Sequence, residues 1–215
     1  MKLYTIGEEI ANSITHGIGA LLSIAALVLL VVFAAIYGSA LHVVSVAIYG
    51  GTLVILYTMS TLYHAITNVT AKKVLRVLDH SSVYLLIAGT YTPFTLLVLT
   101  QSSKALGITL CAVIWSLAIL GILFSIFFTG KMKLFTTIMY VLMGWFIIFV
   151  FPNLLSVMKA SGSINGIYLL VAGGIAYTVG AVFYMIKKRY FHSIWHGFVL
   201  LGSILHFFAV LLYVI

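Results

Sequence analysis

The chain has 215 residues, of which 64% are apolar and only 7% carry a formal charge, with a mean hydropathy of +1.26. Soluble domains carry about 25% charged residues, so a soluble globular enzyme is excluded and an integral membrane protein is expected. The net charge of +8 does not point to nucleic acid, because the basic residues come in ones to threes between apolar runs, as membrane-orienting loops do. The single cysteine, Cys111, sits in an apolar run, which excludes disulfide scaffolds and cysteine-type zinc fingers.

At about 20 apolar residues per crossing, the length accommodates roughly seven or eight spans and no separate soluble domain. Long apolar runs predict an all-α bundle of seven transmembrane helices, one membrane domain over residues 1–215, with spans near 16–37, 43–66, 79–99, 105–128, 134–151, 164–186 and 192–215. The joints carry turn-forming residues: Gly38-Ser39, Asn68, Gln101-Ser102-Ser103, Thr129-Gly130, Pro152-Asn153 and Ser161-Gly162-Ser163. Pro152 is expected to end the fifth span. Small residues at Gly38-Ser39-Ala40 suggest signal-peptide cleavage, but the first run is too long, and Glu8 and Glu9 stand where a basic segment belongs. No repeat of 20–50 residues and no low-complexity tract is evident in the sequence.

Seven spans place the termini on opposite sides. Lys2, Lys72, Lys73, Arg76, Lys131, Lys133, Lys187, Lys188 and Arg189 fall on one side of the membrane, against Lys104 and Lys159 on the other. The positive-inside rule therefore predicts a cytoplasmic N-terminus and an outer C-terminus. Within the spans, Gly121, Gly144, Gly173, Gly174, Gly180, Gly197 and Gly202 are expected to let helices approach closely. Pro93 is expected to kink the third span and free a carbonyl within reach of Thr90 or Thr92.

Ionisable side chains are costly in lipid, so their distribution along the membrane normal is informative. Glu8, Glu9 and His16 lie at the inner end of the first span, His64 at that of the second, Asp79 and His80 open the third, and His192 and His196 open the seventh. Four helices thus bring eight such residues to one membrane face, leaving only His42 and His206 elsewhere. His192 and His196 are four residues apart, which puts both imidazoles on one helix face about 6 Å apart, suited to two ligands on one metal. Ser60 with His64, and Asn12 with His16, repeat the spacing. A third histidine and a water would complete an open, catalytic type of zinc site, with Asp79 either a fourth ligand or the carboxylate that holds the water. His206, about 15 Å along the helix from His196, is expected to face the bundle interior in a hydrogen-bonded packing role. The 14 phenylalanines and 13 tyrosines read as lipid-facing and interfacial residues.

The set Glu8-Glu9-x-x-Asn12-x-x-Thr15-His16, Ser60-x-x-Tyr63-His64, Leu78-Asp79-His80-Ser81 and His192-Ser193-Ile194-Trp195-His196, followed by His206, resembles the haemolysin III family. That family belongs with the progestin and adiponectin receptors and, more loosely, the alkaline ceramidases. The resemblance covers essentially the whole chain and implies a zinc ion near the cytoplasmic face, held by His64, His192 and His196. It implies further that Asp79 holds the zinc-bound water or approaches the metal, and that Ser60 matches the serine one turn before the second-span histidine. Receptor relatives have a tyrosine after that aspartate where this chain has His80, which leaves the role of His80 open.

Three functions follow from this reading. The first is a zinc-dependent hydrolase of a lipid amide, ceramide-like by resemblance, with Asp79 as general base, Ser60 as oxyanion donor and a membrane lipid or fatty-acyl substrate. The second is a membrane-damaging haemolysin, which seven strongly apolar spans without a polar stripe support weakly. The third is a receptor-like or lipid-regulating bundle with structural zinc; the short N-terminal arm and outer joints offer little surface for a protein hormone. The expected location is a multi-pass position in the cell membrane, of bacterial type.

Overall fold

A computed structural model describes residues 4–215; Lys2, used above for orientation, lies outside the described residues. The described chain is all-α and contains seven helices long and apolar enough to cross a membrane: α1 Ile6–Tyr37, α2 Ala40–Ala65, α3 Val69–Ser102, α4 Lys104–Phe128, α5 Lys133–Ala160, α6 Ile164–Met185 and α7 Phe191–Tyr213. Such helices satisfy their backbone polar groups internally, as lipid requires. α1 packs on α2 and α7, α2 on α3, α3 on α4 and α5, and α6 on α5 and α7, which closes a ring in which α3 is the most buried member.

α1 shows how the sequence inverts the soluble pattern. Glu8, Asn12, His16, Gly19 and Ser23 recur at three- or four-residue spacing and are buried, while Ile10, Ile14, Ile18 and Leu21 are exposed. The polar stripe faces the bundle and the branched apolar stripe faces outward. α1 also begins about ten residues before the predicted span, because Thr5 and Glu8 form a capping box. The second oxygen of Glu8 accepts the Tyr190 amide at 3.0 Å, tying the start of α1 to that of α7.

Two helices depart from regularity where the cavity lies. Pro93 has no N–H for the Gly89 carbonyl, and the next residues, Phe94–Leu99, widen into π-helical turns. The expected rescue of that carbonyl by a neighbouring threonine does not occur: Thr90 and Thr92 bond to the carbonyls of Leu86 and Ala88, at 2.8 and 2.9 Å. α5 tightens to a 3-10 stretch at Trp145–Val150 and then continues. Pro152 therefore does not end the fifth span. It stands in the first turn of the segment Phe151–Ala160, where a missing N–H costs nothing. The Tyr91 hydroxyl serves this irregular stretch, donating to the Gly144 carbonyl at 2.9 Å and accepting from the Ile147 amide at 2.8 Å.

Most of the singled-out glycines are contact points. A Cβ on Gly121 would meet the Tyr84 ring, and one on Gly173 the His206 ring. Gly144 and Gly197 instead face open space, so close packing does not account for them. His42, apart from the other histidines, caps α2 by accepting the Ser39 amide at 3.2 Å.

Candidate metal centre

His64 stands in the last turn of α2, and His192 and His196 in the first turns of α7. The ring of helices brings these ends together, so that one ligand atom from each imidazole lies within 4.8 Å of the others. His64 and His196 are buried, with 2% and 0% exposure. The Nε2 atoms of His64 and His192 are 3.3 Å apart. Bonds of about 2.0–2.1 Å at a tetrahedral zinc impose an N···N separation of about 3.3 Å, so this pair already has the spacing of two ligands sharing an ion.

The outer nitrogens are held by α1. Glu9 Oε2 lies 2.6 Å from His64 Nδ1, which directs the Nδ1 proton to the carboxylate and leaves the Nε2 lone pair facing inward. Glu9 Oε1 meets Lys72 Nζ at 2.9 Å, so the carboxylate bridges a cation and an imidazole. His196 Nδ1 faces the Asn12 carbonyl and the Thr15 hydroxyl, each at 3.3 Å. Its Nε2 is buried without a hydrogen-bond partner among the described residues. A buried imidazole nitrogen with no partner is costly, and a metal ion is the occupant that two oriented neighbours already suit. The Asn12 amide oxygen accepts from Ser193 at 2.6 Å, binding α1 to the turn that carries both α7 histidines.

Asp79 is buried on α3 but is not part of the three-histidine group. Its Oδ2 faces His80 Nδ1 at 3.4 Å, and it lines, together with His192, an apolar cavity that extends to His206. Val83, Leu86, Ile87 and Val199 form much of the intervening wall. Ser60 is buried one turn before His64 but does not line that cavity. His80 is fixed beside the site, with Nδ1 at 2.9 Å from the Arg76 carbonyl and Nε2 at 3.3 Å from the Tyr184 hydroxyl. His16 stacks face to face on His196, with ring centroids 3.5 Å apart and planes inclined by 10°. His206 is buried, and its Nε2 donates to the Leu170 carbonyl at 2.9 Å, as expected of a packing role.

Sequence reading placed Glu9 and Asn12 on the correct face without giving them roles. The available signal was an acidic residue and an amide on the polar stripe of α1, next to a histidine site. Replacing Glu9 with alanine is expected to weaken affinity for a divalent metal about 10–100-fold, with Glu9→Gln intermediate because its amide oxygen still accepts the hydrogen bond from His64 Nδ1. Chelator competition on purified protein measures this; unchanged affinity in Glu9→Ala would remove the role assigned to the carboxylate.

The model of the family described as Haemolysin-III related matches residues 4–207. The chain belongs to the Haemolysin-III related family. It is 51% identical to the Hemolysin-3 homolog of Bacillus subtilis (strain 168) over 212 residues, 98% of this chain and 96% of the relative. It is 49% identical to Hemolysin-3 of Bacillus cereus over 98% of this chain and 93% of the relative. A more distant likeness, 26% identity over 96% of this chain and 84% of the relative, is to the Monocyte to macrophage differentiation factor of Homo sapiens. No solved structure matches. Membership of this family and the seven apolar helices make this a multi-pass membrane protein with a buried three-histidine cluster suited to a metal.

Proposed function

We propose that this Haemolysin-III relative is a zinc-dependent hydrolase of a membrane-lipid acyl amide, ceramide-like in the bond it cleaves, with its histidine end toward the cytoplasm. The observation that carries the reading is the His64, His192 and His196 group, oriented from behind by Glu9 and Asn12 and set beside an apolar cavity that also holds Asp79. Orientation rests on the lysines and arginines concentrated at that end.

Zinc held by the three imidazoles would supply polarisation of a carbonyl and a water acidified toward a pKa of about 7. The chain supplies the rest. Asp79 accepts the proton of the attacking water and passes it to the departing amine, with His80 Nδ1 3.4 Å from its carboxylate. The apolar wall between Asp79 and His206 takes the acyl chain and excludes bulk water. Ser60, which does not line the cavity, is given no direct contact with substrate.

The test is fatty-acid release by purified, zinc-replenished protein supplied with long-chain lipid amides. Release that ceases on chelation and returns with zinc is expected. No release from any lipid amide with zinc bound would overturn the reading. A second reading, membrane lysis, is favoured by the names of the two Bacillus relatives. Liposome leakage that persists when His64, His192 and His196 are all changed to alanine would establish lysis independent of metal.

A further inference from the structure

The rim of the cavity carries a second charged group that the hydrolase reading does not use. It consists of Arg76 on α3, Lys133 at the start of α5 and Lys187 just beyond the end of α6. Lys133 Nζ donates to the Tyr184 carbonyl at 2.5 Å and lies 3.7 Å from the centroid of the Tyr184 ring. Lys187 follows Tyr184 by three residues, just beyond the end of α6. The Arg76 guanidinium packs against Gly130, whose φ of +81° and missing Cβ make room for it. Tyr184 and His80 both line the cavity; Lys133 meets Tyr184 and the Arg76 backbone carbonyl accepts from His80, which sets these two residues one contact behind the cavity wall.

None of these cations is paired with an acid among the described residues. The chain has only three acidic residues. Glu8 is taken by the cap of α1 and the Tyr190 amide, Glu9 by His64 and Lys72, and Asp79 by His80. Orienting a membrane protein needs cations near one end of the bundle, but it does not need three helices to bring them together. Like charges gathered at a partly apolar rim repel one another, and a bound anion removes that cost. A guanidinium and two ammonium groups at one place are the usual chemistry of phosphate recognition. Their position at the ends of three spans, beside a cavity suited to an acyl chain, favours an anion borne by a lipid.

We propose that Arg76, Lys133 and Lys187 bind the phosphate of a lipid headgroup, so that the lipid whose acyl part enters the cavity bears a phosphate and, where the hydrolase reading holds, is a phosphorylated lipid amide. The inference rests on the hydrolase reading only for the fate of that lipid, since binding is measured without turnover.

The experiment titrates the detergent-solubilised full chain with short-chain phosphatidic acid, the matching diacylglycerol and inorganic phosphate. Fluorescence of Trp145 and Trp195, which line the cavity, reports binding. Phosphatidic acid is expected to bind about tenfold or more tightly than diacylglycerol. Added salt, or Arg76→Gln combined with Lys133→Gln, should remove the difference and leave metal content unchanged. Equal affinity for the two lipids would overturn the proposal. Inorganic phosphate competing as well as phosphatidic acid would also overturn it, assigning the cations to a free anion. Should the double variant not fold, the salt titration of the unaltered chain decides, and a lipid preference insensitive to salt contradicts a phosphate site. Tight phosphatidic acid binding without cleavage of any lipid would remove the hydrolase reading and retain this one.

Discussion

Asp79→Asn is expected to lower lipid hydrolysis by about 10²–10⁴-fold, the usual contribution of a general base, while zinc content stays at the unaltered level. Asparagine keeps the size of the side chain and a carbonyl oxygen that can face His80, but it cannot take a proton from water. The arrangement makes this a clean separation of roles. Asp79 lies on the cavity wall with His192, outside the group of converging imidazole nitrogens. Hydrolysis and metal content measured on the same preparation distinguish the outcomes: full activity would remove Asp79 as the base, and loss of zinc would make it a fourth ligand.

His196→Ala is expected to weaken zinc binding by about two to three orders of magnitude. Structural zinc sites with four ligands bind with about 10–16 kcal/mol, so each ligand accounts for about 2.5–4 kcal/mol, and each 1.4 kcal/mol is tenfold. The variant cannot recruit water easily to the vacated position, because His196 is fully buried and His16 is stacked on its ring. A second consequence follows by linkage. Zinc held by the folded state is expected to raise the melting temperature of the unaltered chain, and this rise is expected to shrink or vanish in His196→Ala. An equal zinc-dependent rise in both proteins would show that His196 is not a ligand.

Apolar run length and the four-residue spacing of His192 and His196 made the helices and part of the site legible in the sequence, because both signals are local. The partner of His64 was not legible in the same way. Glu9 is 55 residues away in sequence, and only the packing of α1 on α2 brings its carboxylate to Nδ1. The same packing explains why the first span seemed to begin near residue 16. Glu8, Glu9 and Asn12 break the apolar run, yet they belong to the helix because its inner face is polar. Pro152 misled for a different reason. A proline reads as a terminator, but after a 3-10 stretch it can open a new helical turn within one crossing. Arg76 and Lys133, unpaired with an acid among the described residues, were visible as loop charges that orient the chain; the contacts of Arg76 with Gly130 and of Lys133 with Tyr184 are a property of the tertiary structure alone.

The central claim is that His64, His192 and His196 hold one metal ion, and elemental analysis of the protein purified without chelator tests it most directly. Zinc in one-to-one proportion to the chain is the expected result, falling away in His196→Ala and retained in Asp79→Asn. A chain that carries no metal as purified, takes up none from added zinc and melts at the same temperature with and without it would contradict the account.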